Sequence, residues 1–160
     1  MTGFEDILRE GACLVGTGNP LRRDDGVGPW IAERVREASV PVIDVEDVPE
    51  NYVSDIARAD GRNVVFMDAV AAELAPGTIL FAPLDELGEP AGLTTHKLAL
   101  SLCGRVLAAA GKRIFLLGIV PGDLEFGPGL TPEVERAASS VRDAILRTCG
   151  RPSQENRHAR

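Results

Sequence analysis

Short runs of apolar residues alternate with segments of helical spacing along this chain of 160 residues, and this alternation limits the folds open to it. The runs have the length and composition of buried strands, and they are residues 12–16, 41–45, 63–69, 78–82 and 113–120. The helical segments are 27–38, 51–59, 96–110 and 131–150. In the third of them one apolar face is expected to consist of Ala99, Leu102, Cys103, Val106, Leu107 and Ala110. Strands that alternate with helices predict a mostly parallel sheet covered on both faces.

The fourth strand breaks this alternation. Only residues 69–77 separate it from the third strand, which is too short a connection for a crossover helix, so we expect it to be antiparallel. The sequence therefore predicts an α/β fold with a five-stranded, mixed, mostly parallel twisted sheet and helices on both faces. We expect one domain over residues 1–150 and a disordered polar tail over 151–160.

Charge and composition exclude several classes of protein. The net charge is -7 and the pI is about 4.9, which argues against a nucleic-acid binder or a binder of anionic membranes. The acidic N-terminus lacks the pattern of a secretory signal, and the longest apolar stretches are too short to span a bilayer. We expect a cytoplasmic protein and favour a monomer.

The sequence gives little support for catalysis by a cysteine or serine nucleophile. Cys13, Cys103 and Cys149 are widely spaced with no CxxC pair, so we interpret them as buried packing residues. Cys103 lies seven residues after His96 on one predicted helix, which is roughly 10 Å along the axis and too far for a thiol–imidazole pair. No GxSxG elbow is present.

The segment GTGNPLRRDDGVG, residues 16–28, follows the first strand as a phosphate loop would. A dinucleotide fingerprint requires a third glycine where Leu21 stands, and two carboxylates would repel a phosphate. The segment is therefore not a phosphate loop. Its glycines are expected to make a tight turn that lets Asp25 project into a cleft before the helix.

The topology brings three polar side chains to the carboxyl edge of the sheet. Asp25 follows the first strand, Asp68 ends the third, and His96 begins a helix that must start at this edge because it feeds a parallel strand. Each residue alone is often a helix cap or a turn residue. Together they suit a divalent ion such as Zn, Ni, Mn or Fe, or a metal-free acid/base set, and their spacing does not separate these alternatives.

With these residues assembled, the chain resembles the hydrogenase maturation endopeptidases, which process the large subunit of [NiFe] hydrogenases. The similarity runs from about residue 12 to about 147, and the PEN and TTH segments look most like the branch serving formate-hydrogenlyase-type enzymes. It departs from the family pattern at Val120 and at residues 46–48. The motifs that carry the resemblance are GTGNPLRRDDGVGP at 16–29, VPEN at 48–51, FMDAV at 66–70, TTH at 94–96, FLLGIVP at 115–121 and GLTPEV at 129–134.

The resemblance implies both a fold and a reaction. The fold is a five-stranded α/β sheet, and the reaction is one cleavage near the C-terminus of the large-subunit precursor after nickel insertion. It assigns metal contact and catalysis to Asp25, Asp68 and His96, with nickel supplied by the precursor and a resident zinc left open. Asp24 becomes a neighbouring structural or tuning carboxylate. A nickel-handling chaperone or a small-ligand module without protease activity is the alternative.

Overall fold

The computed structural model describes residues 2–87 and 96–150, and within them it contains a single mixed sheet. The strands are β1 (Ala12–Thr17), β2 (Val42–Glu46), β3 (Asn63–Ala69), β4 (Ile79–Pro83) and β5 (Arg113–Ile119). Their order across the sheet is β2-β1-β3-β5-β4. Four strands are parallel and β4 pairs antiparallel with β5, as the short connection before it predicts.

The α-helices are α1 (Thr2–Glu10), α2 (Val27–Arg34), α3 (Val53–Arg58), α4 (Lys97–Ala109) and α5 (Pro132–Cys149). The described residues also form short 3-10 helices at Arg23–Gly26, Pro49–Tyr52 and Leu84–Leu87. None of the helices in the described ranges combines the length and the apolar character that crossing a membrane requires.

Helices cover both faces of the sheet, as predicted. On one face α1, α2 and α5 pack against side chains such as Val65 and Met67 of β3. On the other face α3 and α4 pack against Val64 and Phe66 of the same strand. Successive residues of a strand point to opposite faces, so the centre of a strand covered on both faces is apolar on both. This is why residues 64–67 of β3 form one continuous apolar run, with the buried polar residues Asn63 and Asp68 on either side of it.

Two features of the helices differ from the expectations. Helix α1 is not among the predicted helices, although its buried residues Phe4, Ile7 and Leu8 have helical spacing. In α4 the expected inward face included Leu102 and Val106, and this is wrong, because they are 53% and 56% exposed.

The buried residues of α4 are Leu100, Cys103 and Leu107. Apolar residues lie on all sides of this helix, so periodicity could not choose its inward face. Packing against α3 and the neighbouring 3-10 helix Pro49–Tyr52 makes that choice. The predicted polar tail, 151–160, lies outside the described residues.

Candidate metal centre

Asp25 lies in the 3-10 helix that follows β1, immediately before α2. Its side chain is buried, with the residue 2% exposed, and its Oδ2 accepts a hydrogen bond of 2.9 Å from the backbone N–H of Asn19. The segment therefore folds back on itself, and residue 19 holds the carboxylate of residue 25. Nothing in the local sequence pattern predicts this backbone donor.

The glycines of this segment allow close backbone approach. Gly18 has φ +138°, and a Cβ there would collide with the carbonyl oxygen of Asp25. A Cβ on Gly28 would collide with the carbonyl oxygens of Thr17 and Met67. The glycines thus bring α2 against β1 and β3 and bring the Asp25 segment close to the end of β1.

Asp68 is the penultimate residue of β3 and is 1% exposed. Its Oδ1 accepts a 2.8 Å hydrogen bond from the backbone N–H of Ala69. Its Oδ2 lies 3.2 Å from Nδ1 of His96, which immediately precedes α4 and has a largely buried imidazole. A strand end and a helix start, 28 residues apart in the chain, are joined by this contact.

Electrostatics shift the pKa of both partners upward. Burial raises the pKa of Asp68 to about 6, although the hydrogen bond from His96 opposes this rise. The hydrogen bond to Asp68 raises the pKa of His96, with burial acting in the opposite direction. The charge of Asp25 raises both pKa values further. The pair therefore holds protons more tightly than isolated side chains would.

The structure brings all three sequence-predicted side chains together. Asp25, Asp68 and His96 each offer one ligand atom, and these atoms lie within 4.8 Å of one another. Ligand atoms about 2.1 Å from a shared ion are up to about 4 Å apart, so a small inward movement would suffice. Two carboxylate oxygens and one imidazole nitrogen form a donor set suited to borderline divalent ions and leave coordination positions open.

The end of β2 and the loop that follows it also lie at this edge of the sheet. The backbone N–H of Gly18 donates to the carbonyl of Glu46 at the end of β2 over 2.7 Å. The charge of Asp47 in the same loop contributes to the raised pKa of His96. The threonines of the TTH motif lie outside the described residues, as does His158.

The neighbouring Asp24 has a different environment, because its buried carboxylate faces the loop between β5 and α5. Of the two interpretations of Asp24, these contacts favour the structural carboxylate. The three cysteines are buried and unbridged, and burial raises the pKa of Cys13 to about 11. The expectation that the three cysteines are buried is confirmed.

Comparison with known proteins agrees with this fold. The family model described as hydrogenase maturation protease matches residues 30–148. The hydrogenase 3 maturation protease of Escherichia coli K12 is 32% identical over 132 residues, which cover 80% of this chain and 84% of that protein.

Solved structures extend the comparison. The crystal structure of the [NiFe] hydrogenase maturation protease HycI from Thermococcus kodakarensis KOD1 superposes with a TM-score of 0.74 at 26% identity, covering 91% of this chain and 97% of that one. The solution structure of the endopeptidase HycI from Escherichia coli gives a TM-score of 0.72 at 26% identity, with 84% and 88% covered. This chain belongs to the hydrogenase maturation protease family.

Proposed function

We propose that this protein removes the C-terminal extension of a [NiFe] hydrogenase large-subunit precursor after nickel has been inserted. Membership of a protease family supports the reaction class. The observation that carries the proposal is the buried cluster of Asp25, Asp68 and His96 at the carboxyl edge of the sheet. A site of this kind can bind a metal ion that arrives with the substrate.

In this proposal the nickel of the precursor is the recognition element. Three ligands from this chain leave room for ligands from the precursor, so the ion can bridge the two proteins. When it is bound, nickel supplies Lewis-acid chemistry at the scissile carbonyl or at a water molecule. A resident zinc would use the same three ligands.

The residues of this chain would bind and orient the ion and would accept or donate protons during the reaction. Metal binding requires a neutral imidazole and an ionised carboxylate, so the raised pKa values of His96 and Asp68 make protons compete with the metal increasingly as the pH falls. One of the two aspartates is the candidate general base for the attacking water. Both are nearly inaccessible to bulk solvent, which keeps the electrostatic interactions in the site strong.

The test compares matched nickel-free and nickel-loaded precursors by intact mass after incubation with the purified protein. We expect one cleavage of the nickel-loaded precursor and none of the nickel-free form, even when excess zinc is added. Asp25→Asn and His96→Ala should abolish cleavage, while Asp60→Asn, a substitution of an exposed carboxylate, should retain it. Equal cleavage of both precursor forms would contradict nickel recognition and favour an ordinary metallopeptidase.

A precursor that binds but keeps its full mass would contradict the proteolytic step itself. That result would favour the alternative of a nickel-handling chaperone or a binding module. If Asp25→Asn and His96→Ala unfold the protein, as judged by circular dichroism, the three residues are structural instead.

A further inference from the structure

The carboxylate of Asp24 is an unusually well-satisfied buried anion. The residue is completely buried, and both of its side-chain oxygens accept hydrogen bonds from the segment between β5 and α5. Oδ2 accepts from the backbone N–H groups of Gly122 at 2.8 Å and Asp123 at 3.0 Å and from Oγ1 of Thr131 at 2.8 Å, and Oδ1 accepts from the backbone N–H of Thr131 at 2.8 Å.

Backbone hydrogen bonds join the same two segments. The N–H of Asp24 donates to the carbonyl of Asp123 over 3.1 Å, and the N–H of Arg23 donates to that of Gly127 over 3.0 Å. In return, the N–H of Gly127 donates to the carbonyl of Leu21 over 2.9 Å. The segments 21–24 and 122–131 therefore form one hydrogen-bonded unit.

This unit is anchored to α5 through Thr131, the residue that precedes the helix. The Thr131 hydroxyl does not cap its own helix and instead donates to Asp24. Asp24 thus places a negative charge at the N-terminus of an 18-residue helix, where the helix dipole favours it. Because α5 packs against α1 and α2 through side chains such as Val141 and Ile145, the anchor is part of the core.

We propose that Asp24 is a positioning residue for the metal centre, tying the segment that carries Asp25 to the start of α5. Asp25 is the next residue, within the same four-residue 3-10 helix. On the other side of Asp25, Gly26 packs so closely on Pro20 that a Cβ would lie 2.7 Å from its Cα. The Asp25 backbone is held between these two contacts, and its carboxylate is thereby aimed at Asp68 and His96. The inference rests on the proposed function only in taking Asp25 as a ligand.

The chemistry of the contact requires a carboxylate. All four groups that face Asp24 are donors, and an asparagine would direct its own NH₂ group at one or more of them. Asp24→Asn keeps the shape of the side chain and breaks the contact, which makes it the informative substitution. Thr131→Val removes only the hydroxyl donor, and Thr131→Ser retains it.

The test uses two measurements on the full chain. Amide hydrogen exchange at Asn19, whose N–H donates to Asp25, reports the local order of the Asp25 segment without metal or precursor. Calorimetric titration with Ni²⁺ reports the metal centre. Ile145→Val, a core substitution in α5 remote from Asp24 in sequence, is the control for general loss of stability.

We expect Asp24→Asn to accelerate exchange at Asn19 at least tenfold relative to core amides and to weaken Ni²⁺ binding at least tenfold. Thr131→Val should produce a smaller effect in the same direction, Thr131→Ser should restore wild-type values, and Ile145→Val should change neither measurement. The inference would be overturned if the Asn19 exchange rate and the Ni²⁺ affinity of Asp24→Asn both lay within twofold of those of the Ile145→Val control.

Two further outcomes are decisive. If Asp24→Asn does not fold, Thr131→Val carries the test, and its failure to change Asn19 exchange beyond twofold would overturn the inference. If the wild-type protein does not shorten the precursor but Asp24→Asn still accelerates Asn19 exchange, the proposed function fails and the positioning role stands.

Discussion

Replacing Asp68 by asparagine is expected to stabilise the fold while it removes activity. The pKa of the buried carboxyl is raised from its ordinary 3.8 to about 6, mainly because burial disfavours the charged form. That rise corresponds to about 3 kcal/mol of folding free energy lost when the group is ionised. The substituted amide could still accept the hydrogen bond from Ala69 and contact a neutral His96, so we expect a gain of about 1 to 3 kcal/mol at pH 7.5.

The stability difference between Asp68→Asn and the wild type should depend on pH in a defined direction. The folded-state pKa of Asp68 lies above the unfolded value, so ionisation of this buried group lowers the stability of the fold. This loss of stability is absent below pH 3.8, grows between 3.8 and about 6, and is fully present above that. The raised pKa of His96 acts in the same direction, since its stabilising contribution is lost as the pH rises through its folded-state value. The gain in the free energy of unfolding of Asp68→Asn over the wild type should therefore be small at pH 4.5 and large at pH 7.5.

Urea denaturation at the two pH values measures the difference directly, and a gain of 1 kcal/mol corresponds to about 2 to 4 °C in Tm for a chain of this size. Asp60→Asn, at an exposed position, is the control and should change stability by less than about 0.5 kcal/mol at both pH values. The reasoning is refuted if Asp68→Asn destabilises the protein at pH 7.5, or if its advantage does not grow between the two pH values.

Three other predictions test the packing and the loop. Cys13→Ala should lower stability by about 1 kcal/mol and leave precursor cleavage intact, as measured by denaturation and mass; loss of cleavage in a folded variant would contradict its role as a packing residue. Leu100→Ala should cost about 2 to 5 kcal/mol, whereas Leu102→Ala should cost less than about 0.5 kcal/mol in the same assay, and similar costs would contradict the observed face of α4. Calorimetry should detect no saturable binding of NAD, FAD or ATP, because Asp24 and Asp25 occupy the segment that a phosphate would need; micromolar binding of any of these would reverse that conclusion.

Much of the candidate site could be predicted because it depends on topology. Parallel strands end at one edge of the sheet, so residues at the ends of β1 and β3 must lie near each other whatever their side chains are. The position of His96 follows from the direction of α4, which has to return the chain to the start of β5. Both placements depend only on the order and direction of the elements, which local sequence patterns indicate.

Local patterns could not predict which face of α4 is buried or which groups Asp24 contacts. They also could not predict the geometry of the cluster of Asp25, Asp68 and His96. Each depends on contacts between residues far apart in the chain, such as the 107 positions that separate Asp24 from Thr131. The strand order has the same character, since β5 is inserted between β3 and β4 although β4 directly follows β3 in sequence. Local patterns do not encode such pairings.

The sequence by itself predicted the class of fold and the edge of the sheet at which Asp25, Asp68 and His96 meet. The tertiary structure alone decided that Asp68 and His96 share a hydrogen bond, that burial raises the pKa of this aspartate, and that adjacent aspartates face different partners. The physical reason is that propensity and periodicity act over a few residues, whereas hydrogen bonds and desolvation depend on which distant groups packing brings together.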